Sequence, residues 1–267
     1  MNNFRFDKKS YLERVQYKGE VSLDLPFLKA IHYAHFHTFP FENLDICLGK
    51  KVDLKPENIF EKLVKNRRGG YCFELNGLFL MALKSFGFEA RALLGRVHLE
   101  ETITGRGHQV TLVTINKRQW IVDTGFGSRN PSFPIPLICD EVFGEKNAFY
   151  RLKKDKYFGF LLQKKNSENE WEVLYSFDLE YVFSGDIAYG NHYTSTCEDS
   201  FFTYSRIAAL PVKNGMITLF NNRLKKKING KEEEIILENN DSLFEVLKTE
   251  FGIEINAKYK DLKPFKE

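Results

Sequence analysis

Arg68-Gly69-Gly70-Tyr71-Cys72-Phe73-Glu74-Leu75-Asn76 places one cysteine just after a Gly-Gly turn and at the head of an apolar segment. Across Cys72–Phe86, the residues Phe73, Leu75, Leu78, Phe79, Leu80, Met81, Ala82 and Leu83 give a nearly all-round apolar surface, the pattern of a buried helix. Gly69 and Gly70 allow a sharp turn into that helix through backbone angles closed to other residues, and Gly87 is placed to end it. Cys72 would then see backbone N–H groups with no partner in the helix, at the positive end of its dipole. The thiolate is the nucleophilic form of cysteine, and such a position, or a protonated histidine alongside, brings an ordinary value of about 8.5 down to roughly 3.5–7.5. A lone cysteine is more often a small core hydrophobe. Here the glycines and the flanking charges Arg68 and Glu74, expected to pair and fix the turn, favour the reactive reading.

A nucleophilic thiolate needs a base and a group to orient it. Downstream stand His108 and then Asp123, the Cys, His, acid order of papain-type enzymes. Residues 108–115 and 119–123 read as two strands joined by a polar turn at Asn116, Lys117 and Arg118. With Asn116 and Lys117 as a two-residue loop, Ile115 faces Arg118, and the ladder carries Asp123 opposite Val110, on the face that His108 shares. Diagonal neighbours on one face lie roughly 7–8 Å apart, close enough for a carboxylate to reach an imidazole. A three-residue loop including Arg118 would turn Asp123 to the other face unless a bulge restored it, and both registers fit the sequence. Singly, His108 reads as a satisfied histidine beside a glycine-rich loop and Asp123 as a strand-end residue. Their joint occurrence in order points to a triad of Cys72, His108 and Asp123.

With these residues in view the chain resembles the arylamine N-acetyltransferases over nearly its whole length. Four blocks carry the resemblance: residues 38–44 with Pro40-Phe41-Glu42-Asn43-Leu44; residues 68–76; Gly107-His108 with Val122-Asp123-Thr124-Gly125-Phe126-Gly127; and Asn191 and Thr194-Ser195-Thr196 with Ser200-Phe201-Phe202. The resemblance implies an α+β fold with a papain-like Cys-His-Asp triad. An N-terminal helical bundle (1–86) would carry the nucleophile, a central β-barrel (87–190) His108 and Asp123, and a C-terminal α/β lid (191–267) would follow. It implies that Cys72 is acetylated, that His108 is its base and that Asp123 holds His108. By the same resemblance Thr104, Gly105 and Gly107 belong to a loop near the coenzyme A thioester and the acceptor, and Phe41, Phe126 and Phe202 line the acceptor pocket. Cys197 stands where many relatives have proline, a departure that affects its own loop and no triad position. In length the chain looks bacterial in type.

The implied activity is acetyl transfer from acetyl-CoA, a co-substrate rather than a tightly bound cofactor, to an aromatic amine, hydrazine or hydroxylamine. The implied route is ping-pong through an acetyl-cysteine thioester, in xenobiotic metabolism. Other readings stay open on the sequence. The same triad serves a hydrolase of amidase or protease kind, or a transferase using another acyl-CoA, and Cys72 could be structural in a non-catalytic binding module.

The 267 residues are 43% hydrophobic and 15% aromatic, ample for a compact enzyme. A net charge of +3 from 39 basic and 36 acidic residues is too even for a nucleic-acid footprint. Cys47, Cys72, Cys139 and Cys197 are widely spaced, with no C-x-x-C pair, which fits a reducing compartment. The first residues lack an apolar leader, and no run approaches the roughly 18 apolar residues of a membrane span. The expectation is a cytoplasmic protein, monomeric or weakly homo-oligomeric, with no nucleic-acid or membrane partner.

Residues 11–17, 26–36 and 56–64 carry apolar side chains at helical intervals, with Pro26 suited to a first turn after Asp24. From 91 to 183 the pattern is of short strands, at 91–99, 110–115, 119–122, 157–162 and 171–177, economically read as a barrel or curled sheet. After Ser184-Gly185, strands are expected at 217–220 and 234–237, joined through Asn229-Gly230, and then a helix over Ser242–Phe251 capped by Asp241 and stopped by Gly252.

His32 and His35 sit three apart on one helix, with His37 off that face and no acidic or thiol ligand at suitable spacing, so no metal is expected. Glu42 and Asn43 read as capping or network residues. Lys153-Lys154 and Lys225-Lys226-Lys227 read as solvated turns that could still meet coenzyme phosphates. Gly125-Phe126-Gly127 lacks the third glycine of a dinucleotide fingerprint.

Overall fold

The computed structural model describes residues 4–99, 102–145 and 148–266. Ahead of Cys72 run α1 (Lys8–Arg14), α2 (Leu25–Thr38), the two-residue strand β1 (Phe41–Glu42), α3 (Leu44–Cys47) and α4 (Pro56–Phe60). Asp24 starts α2 as expected, its Oδ1 accepting the Phe27 N–H at 2.8 Å. α4 passes directly into a π-helical turn, Glu61–Lys65, where the spacing suggested one continuous helix. Helix α5 (Cys72–Phe86) has the bounds its apolar pattern predicts, and Gly87 ends it at φ 113°.

Its first turn is built differently from expectation. Gly69 and Gly70 do not have positive φ; the left-handed residue is Arg67, at φ 54°. The glycines are required by space: a Cβ on Gly69 would lie 2.1 Å from Pro40 O, and one on Gly70 2.8 Å from the Glu74 side chain.

Strands β2 (Glu89–Val97), β3 (His108–Ile115), β4 (Arg118–Val122), β5 (Ile135–Pro136), β6 (Val142–Glu145), β7 (Ala148–Asp155), β8 (Gly159–Lys165) and β9 (Trp171–Phe177) follow. They form one antiparallel sheet in the order β5-β4-β3-β2-β9-β8-β7-β6. The sheet curls round a core that includes Leu93, Val110, Leu112, Tyr150, Leu162 and Tyr175. A bridge from Cys139, just beyond β5, to Leu152 of β7 nearly closes it. Leu94, Val113, Ile115, Trp120 and Val122 instead pack with α5 in the helical core, so strands β2 to β4 are buried from both sides.

The open question of register is resolved. Ile115 pairs with Arg118 and Thr111 with Val122. Asn116 and Lys117 form the two-residue turn with φ of 50° and 64°, the doubly left-handed geometry that suits hairpin twist.

After β9 comes α6 (Ser184–Thr196), continuous through the expected boundary at 190/191, and then α7 (Phe201–Tyr204). The last strands are β10 (Ile207–Val212), β11 (Gly215–Phe220), β12 (Arg223–Ile228) and β13 (Lys231–Ile236), before helix α8 (Ser242–Phe251). Their sheet runs β1-β10-β11-β12-β13, so the N-terminal part contributes a strand to the C-terminal sheet. α8 packs there through Leu243, Leu247 and Phe251 against Leu219 and Leu224. Asn229-Gly230 turns between β12 and β13 rather than between the two strands expected. Asp241 stands at the N-cap position of α8 as expected, its carbonyl accepting the Phe244 N–H at 3.1 Å, but its side chain makes no capping bond. Its Oδ1 accepts the Tyr259 N–H at 2.6 Å, and Asn240 Oδ1 takes the Ser242 N–H at 2.9 Å.

Candidate active site

Cys72 is the first residue of α5. Its own N–H and the next have no carbonyl available within the helix, since intrahelical bonding starts with Glu74 and Leu75 N–H to Tyr71 O at 3.0 and 2.9 Å. Glu74 Oε2 reaches back to the Tyr71 N–H at 3.1 Å and fixes the preceding residue.

The expected pairing of Arg68 with Glu74 does not form. Glu74 Oε1 meets Lys62 Nζ at 2.8 Å, and Lys62 also meets Asp45 at 2.6 Å. Arg68 Nη2 meets Glu42 Oε1 at 2.7 Å and Asp45 Oδ1 at 3.4 Å. The five charges make one largely buried network under the turn, because two carboxylates from the β1–α3 segment come within reach that sequence separation concealed. Burial pushes the Glu74 carboxyl up, with the Lys62 ammonium opposing. Burial works against the charge on Lys62, which Glu74, Glu42 and Asp45 nonetheless hold firmly protonated. Glu42 and Asn43 have the network roles expected of them. Glu42 Oε2 accepts the Leu44 N–H at 2.8 Å, while Asn43 Nδ2 donates to Phe202 O at 2.9 Å and Ser205 O at 2.7 Å.

His108 opens β3, and Asp123 directly follows β4. His108 Nε2 lies 2.8 Å from Asp123 Oδ2. The Cys72 sulfur is near enough to this ring to favour its protonated form. Gly107, just before His108, puts its carbonyl 3.6 Å from Cys72 Sγ. Cys72, His108 and Asp123 are 4%, 2% and 1% exposed, so bulk water is excluded. Burial opposes a charged His108 ring, but the Asp123 carboxylate, with the Cys72 sulfur alongside, outweighs it and raises the ring to about 10. Burial likewise pushes Asp123 up, and His108, Asn76 and the Gly125 N–H bring it below the usual carboxylate range.

Asn76 was not singled out from the sequence, although it lies one helical turn beyond Cys72. Its Nδ2 donates to Asp123 Oδ1 at 2.9 Å and to Gln109 O at 2.6 Å, and its Oδ1 accepts the Thr124 N–H at 2.9 Å. The Asp123 carbonyl in turn accepts from Asn130 Nδ2 at 2.6 Å and from His32 Nε2 at 2.7 Å. His32 is thus tied to the site, and His35 Nδ1 is tied to Tyr11 OH at 2.9 Å. Both rings are fully buried rather than at the core edge. Burial drives His32 down to about 4 and His35 well below the ordinary histidine range. Among the described residues no group of three or more His, Cys, Asp or Glu is arranged to hold a metal.

The Phe126 ring stands edge-on to His108 with centroids 4.9 Å apart, Phe41 and Phe202 lie 6.0 Å apart, and Phe202 is 5.8 Å from Tyr71. Of the loop residues, Gly107 reaches the sulfur. Thr104 faces the barrel, its Oγ1 donating to Val97 O at 3.1 Å, and the Gly105 carbonyl accepts the Gly107 N–H at 2.9 Å. The Tyr71 hydroxyl donates to Asn191 Oδ1, binding the residue before Cys72 to α6. Cys197 closes α6, its N–H donating to Tyr193 O at 3.0 Å.

A family model described as N-acetyltransferase matches residues 24–260. An arylamine N-acetyltransferase of Escherichia coli (strain K12) is 34% identical over 92% of this chain and 88% of its own. A Salmonella typhimurium protein described as arylamine N-acetyltransferase / N-hydroxyarylamine O-acetyltransferase is 34% identical over 86% of this chain and 82% of its own. The solved structure of arylamine N-acetyltransferase from Salmonella typhimurium superimposes with a TM-score of 0.88 at 32% identity, over 94% of this chain and 92% of that one. The Mycobacterium marinum arylamine N-acetyltransferase in complex with CoA gives 0.86 at 33% identity, over 92% and 93%.

Proposed function

This chain belongs to the arylamine N-acetyltransferase family of acyltransferases, and from that premise we propose that it moves an acetyl group from acetyl-CoA to the nitrogen of an arylamine, arylhydrazine or arylhydroxylamine through a thioester on Cys72. The supporting observation is the 2.8 Å pair between His108 Nε2 and Asp123 Oδ2, with Cys72 beside the same ring at the head of α5.

In the first half-reaction His108 holds the proton of the Cys72 thiol while the sulfur attacks the acetyl carbonyl. A tetrahedral intermediate collapses, the C–S bond to coenzyme A breaks, and the leaving thiolate takes the proton. In the second, the amine nitrogen attacks the acetyl-cysteine carbonyl and His108 removes the proton that the nitrogen must lose. The bond to Cys72 then breaks and the amide departs. One thioester is exchanged for another and then for a more stable amide, so no further energy source is needed. Asp123 keeps the imidazolium stabilised and oriented throughout.

Each intermediate carries an oxyanion, for which the unpaired N–H groups of the first turn of α5 are suited donors, worth about 2.7–4 kcal/mol each by analogy with other such holes. Phe41, Phe126 and Phe202 wall the acceptor side, favouring flat apolar amines and keeping out the water that would hydrolyse the thioester. Thr104, Gly105 and Gly107 shape the donor side. In this reading residues 1–86 supply the nucleophile, 87–190 the base and acid, and 191–267 the cover over them.

Steady-state rates against both substrates test the proposal. Parallel double-reciprocal lines are expected, and intersecting lines would argue for direct transfer in a ternary complex. Turnover of peptides or amides with no thioester present would favour a hydrolase instead.

A further inference from the structure

Helix α2 supplies no member of the proposed triad, yet one of its side chains reaches Asp123 through the core. His32 is fully buried beside the Phe79 ring of α5, with centroids 5.8 Å apart, and its Nε2 lies 2.7 Å from the Asp123 carbonyl oxygen. A carbonyl only accepts, so Nε2 carries the proton and His32 is the neutral Nε2–H tautomer. Burial keeps the ring uncharged through the neutral range, its value drawn down to about 4. Nδ1 is then a bare acceptor, with no bonding partner among the described residues. A buried nitrogen left unpaired costs stability, a cost that an apolar side chain at this place would avoid. What the imidazole supplies in return is its bond to Asp123.

That bond completes a clamp on one peptide group. The Asp123 carbonyl accepts from His32 and, at 2.6 Å, from Asn130 Nδ2, while the N–H at the other end of the same peptide, on Thr124, donates to Asn76 Oδ1 at 2.9 Å. The carboxylate is held likewise, its Oδ1 accepting from Asn76 Nδ2 and from the Gly125 N–H, each at 2.9 Å. Oδ2 remains, and it meets His108 Nε2 at 2.8 Å. With the peptide plane fixed at both ends and one carboxylate oxygen fixed from the side, the backbone sets the direction of Oδ2 toward the ring. Asn76 belongs to α5, and Gly125 and Asn130 to the segment after β4; His32 is the donor that ties this segment to α2.

We propose that His32 is a positioning residue for acetyl transfer: by donating to the Asp123 carbonyl it fixes the peptide from which Oδ2 is aimed at His108, and so holds that ring in place to take and return protons. The inference rests on the thioester reading of Cys72.

Single-turnover acetylation of Cys72 by acetyl-CoA, followed by rapid quench, tests it in two variants whose folding is checked by thermal unfolding. His32→Leu removes the donor and is expected to slow the maximal rate about fivefold while leaving the acetyl-CoA concentration for half-maximal rate unchanged, because a misaimed group costs rate rather than binding. His32→Gln, whose amide nitrogen has similar reach, is expected to return the rate to within about twofold of wild type. In His32→Leu the His108 ring should also lose its proton at lower pH, since the carboxylate that favours its charged form is less well aimed, and NMR of the ring reads this where a merely structural role would leave it unmoved. Equal slowing in both variants, or an unchanged rate in His32→Leu, would overturn the assignment. Should His32→Leu not fold, the wild-type protein decides: proton–nitrogen correlation spectra are expected to show His32 protonated at Nε2 and bare at Nδ1, and a proton on Nδ1 would overturn it. Wild-type protein that takes no acetyl group from acetyl-CoA would sink the transferase reading, whereas acetylated wild type with an unaffected His32→Leu would sink the role of His32 alone.

Discussion

Asn76, one turn along α5 from Cys72, donates its Nδ2 proton to Asp123 Oδ1 at 2.9 Å. The helix that presents the sulfur therefore also grips the carboxylate that holds His108. Nucleophile, base and acid come from three separate elements, and this amide, together with its bonds to Gln109 O and the Thr124 N–H, locks their relative positions.

Removing that grip should cost activity before it costs the fold. Asn76→Ala orphans buried partners at about 1–3 kcal/mol each, and the single-turnover rate of Cys72 acetylation is expected to fall at least about tenfold. A rate within twofold of wild type, measured by rapid quench, would contradict the positioning role.

The charge state of His108 sets a pH window. Its folded value, about 10, lies above that of free imidazole, so its stabilising contribution is complete below about pH 6.5 and is lost as pH rises through about 10. Asp123 is depressed, so its contribution is present above the ordinary aspartate value and is lost as pH falls through the lower folded one. The pair is intact across the neutral range. In Asp123→Asn the buried ring should lose its proton at lower pH, which NMR of the His108 ring, assigned by comparison with His108→Gln, would detect. A titration midpoint unchanged by the substitution would contradict the pairing.

The buried histidines of α2 act in the opposite sense. With His32 held to about 4 by burial, the unfolded chain binds a proton that the native one refuses, and stability should fall on acidification from about pH 6.5 to 4. The loss from His32 alone is about 3 kcal/mol, and His35, lowered by burial in the same sense, adds to it. His32→Gln keeps a donor for Asp123 O and removes the titration, so urea unfolding at pH 7 and pH 4.5 should show a shallower dependence than wild type. Equal pH slopes would refute this.

Strong local signals made much of the site legible. The α5 bounds and the Asp24 cap each follow from side-chain pattern or turn chemistry within a few residues, whereas the choice between a two- and a three-residue turn at Asn116-Lys117 needed the ladder itself. What stayed hidden depends on distant partners. Glu42 and Asp45 draw Arg68 away from Glu74, the Tyr259 N–H takes the Asp241 carboxylate that would otherwise cap α8, and His32 finds a carbonyl 91 residues on. Helix α6 escaped notice because Gly185, Gly190 and a run of small polar residues give it no apolar stripe.

Gly125 gives a steric test of how closely α5 and the end of β4 approach. A Cβ there would lie 2.8 Å from Asn76 Nδ2 and 2.9 Å from Cys72 Cα. Gly125→Ala should destabilise the protein by about 1–3 kcal/mol and abolish most acetylation, as read by thermal unfolding and turnover. A variant with full activity would show that the approach is not needed.

In the proposed route one sulfur carries the acetyl group between donor and acceptor. Mixing the protein with acetyl-CoA and no acceptor, then mapping peptides by mass spectrometry, should find one acetyl group on Cys72, discharged when an arylamine is added. Absence of label, or label on Cys47, Cys139 or Cys197 instead, would contradict it.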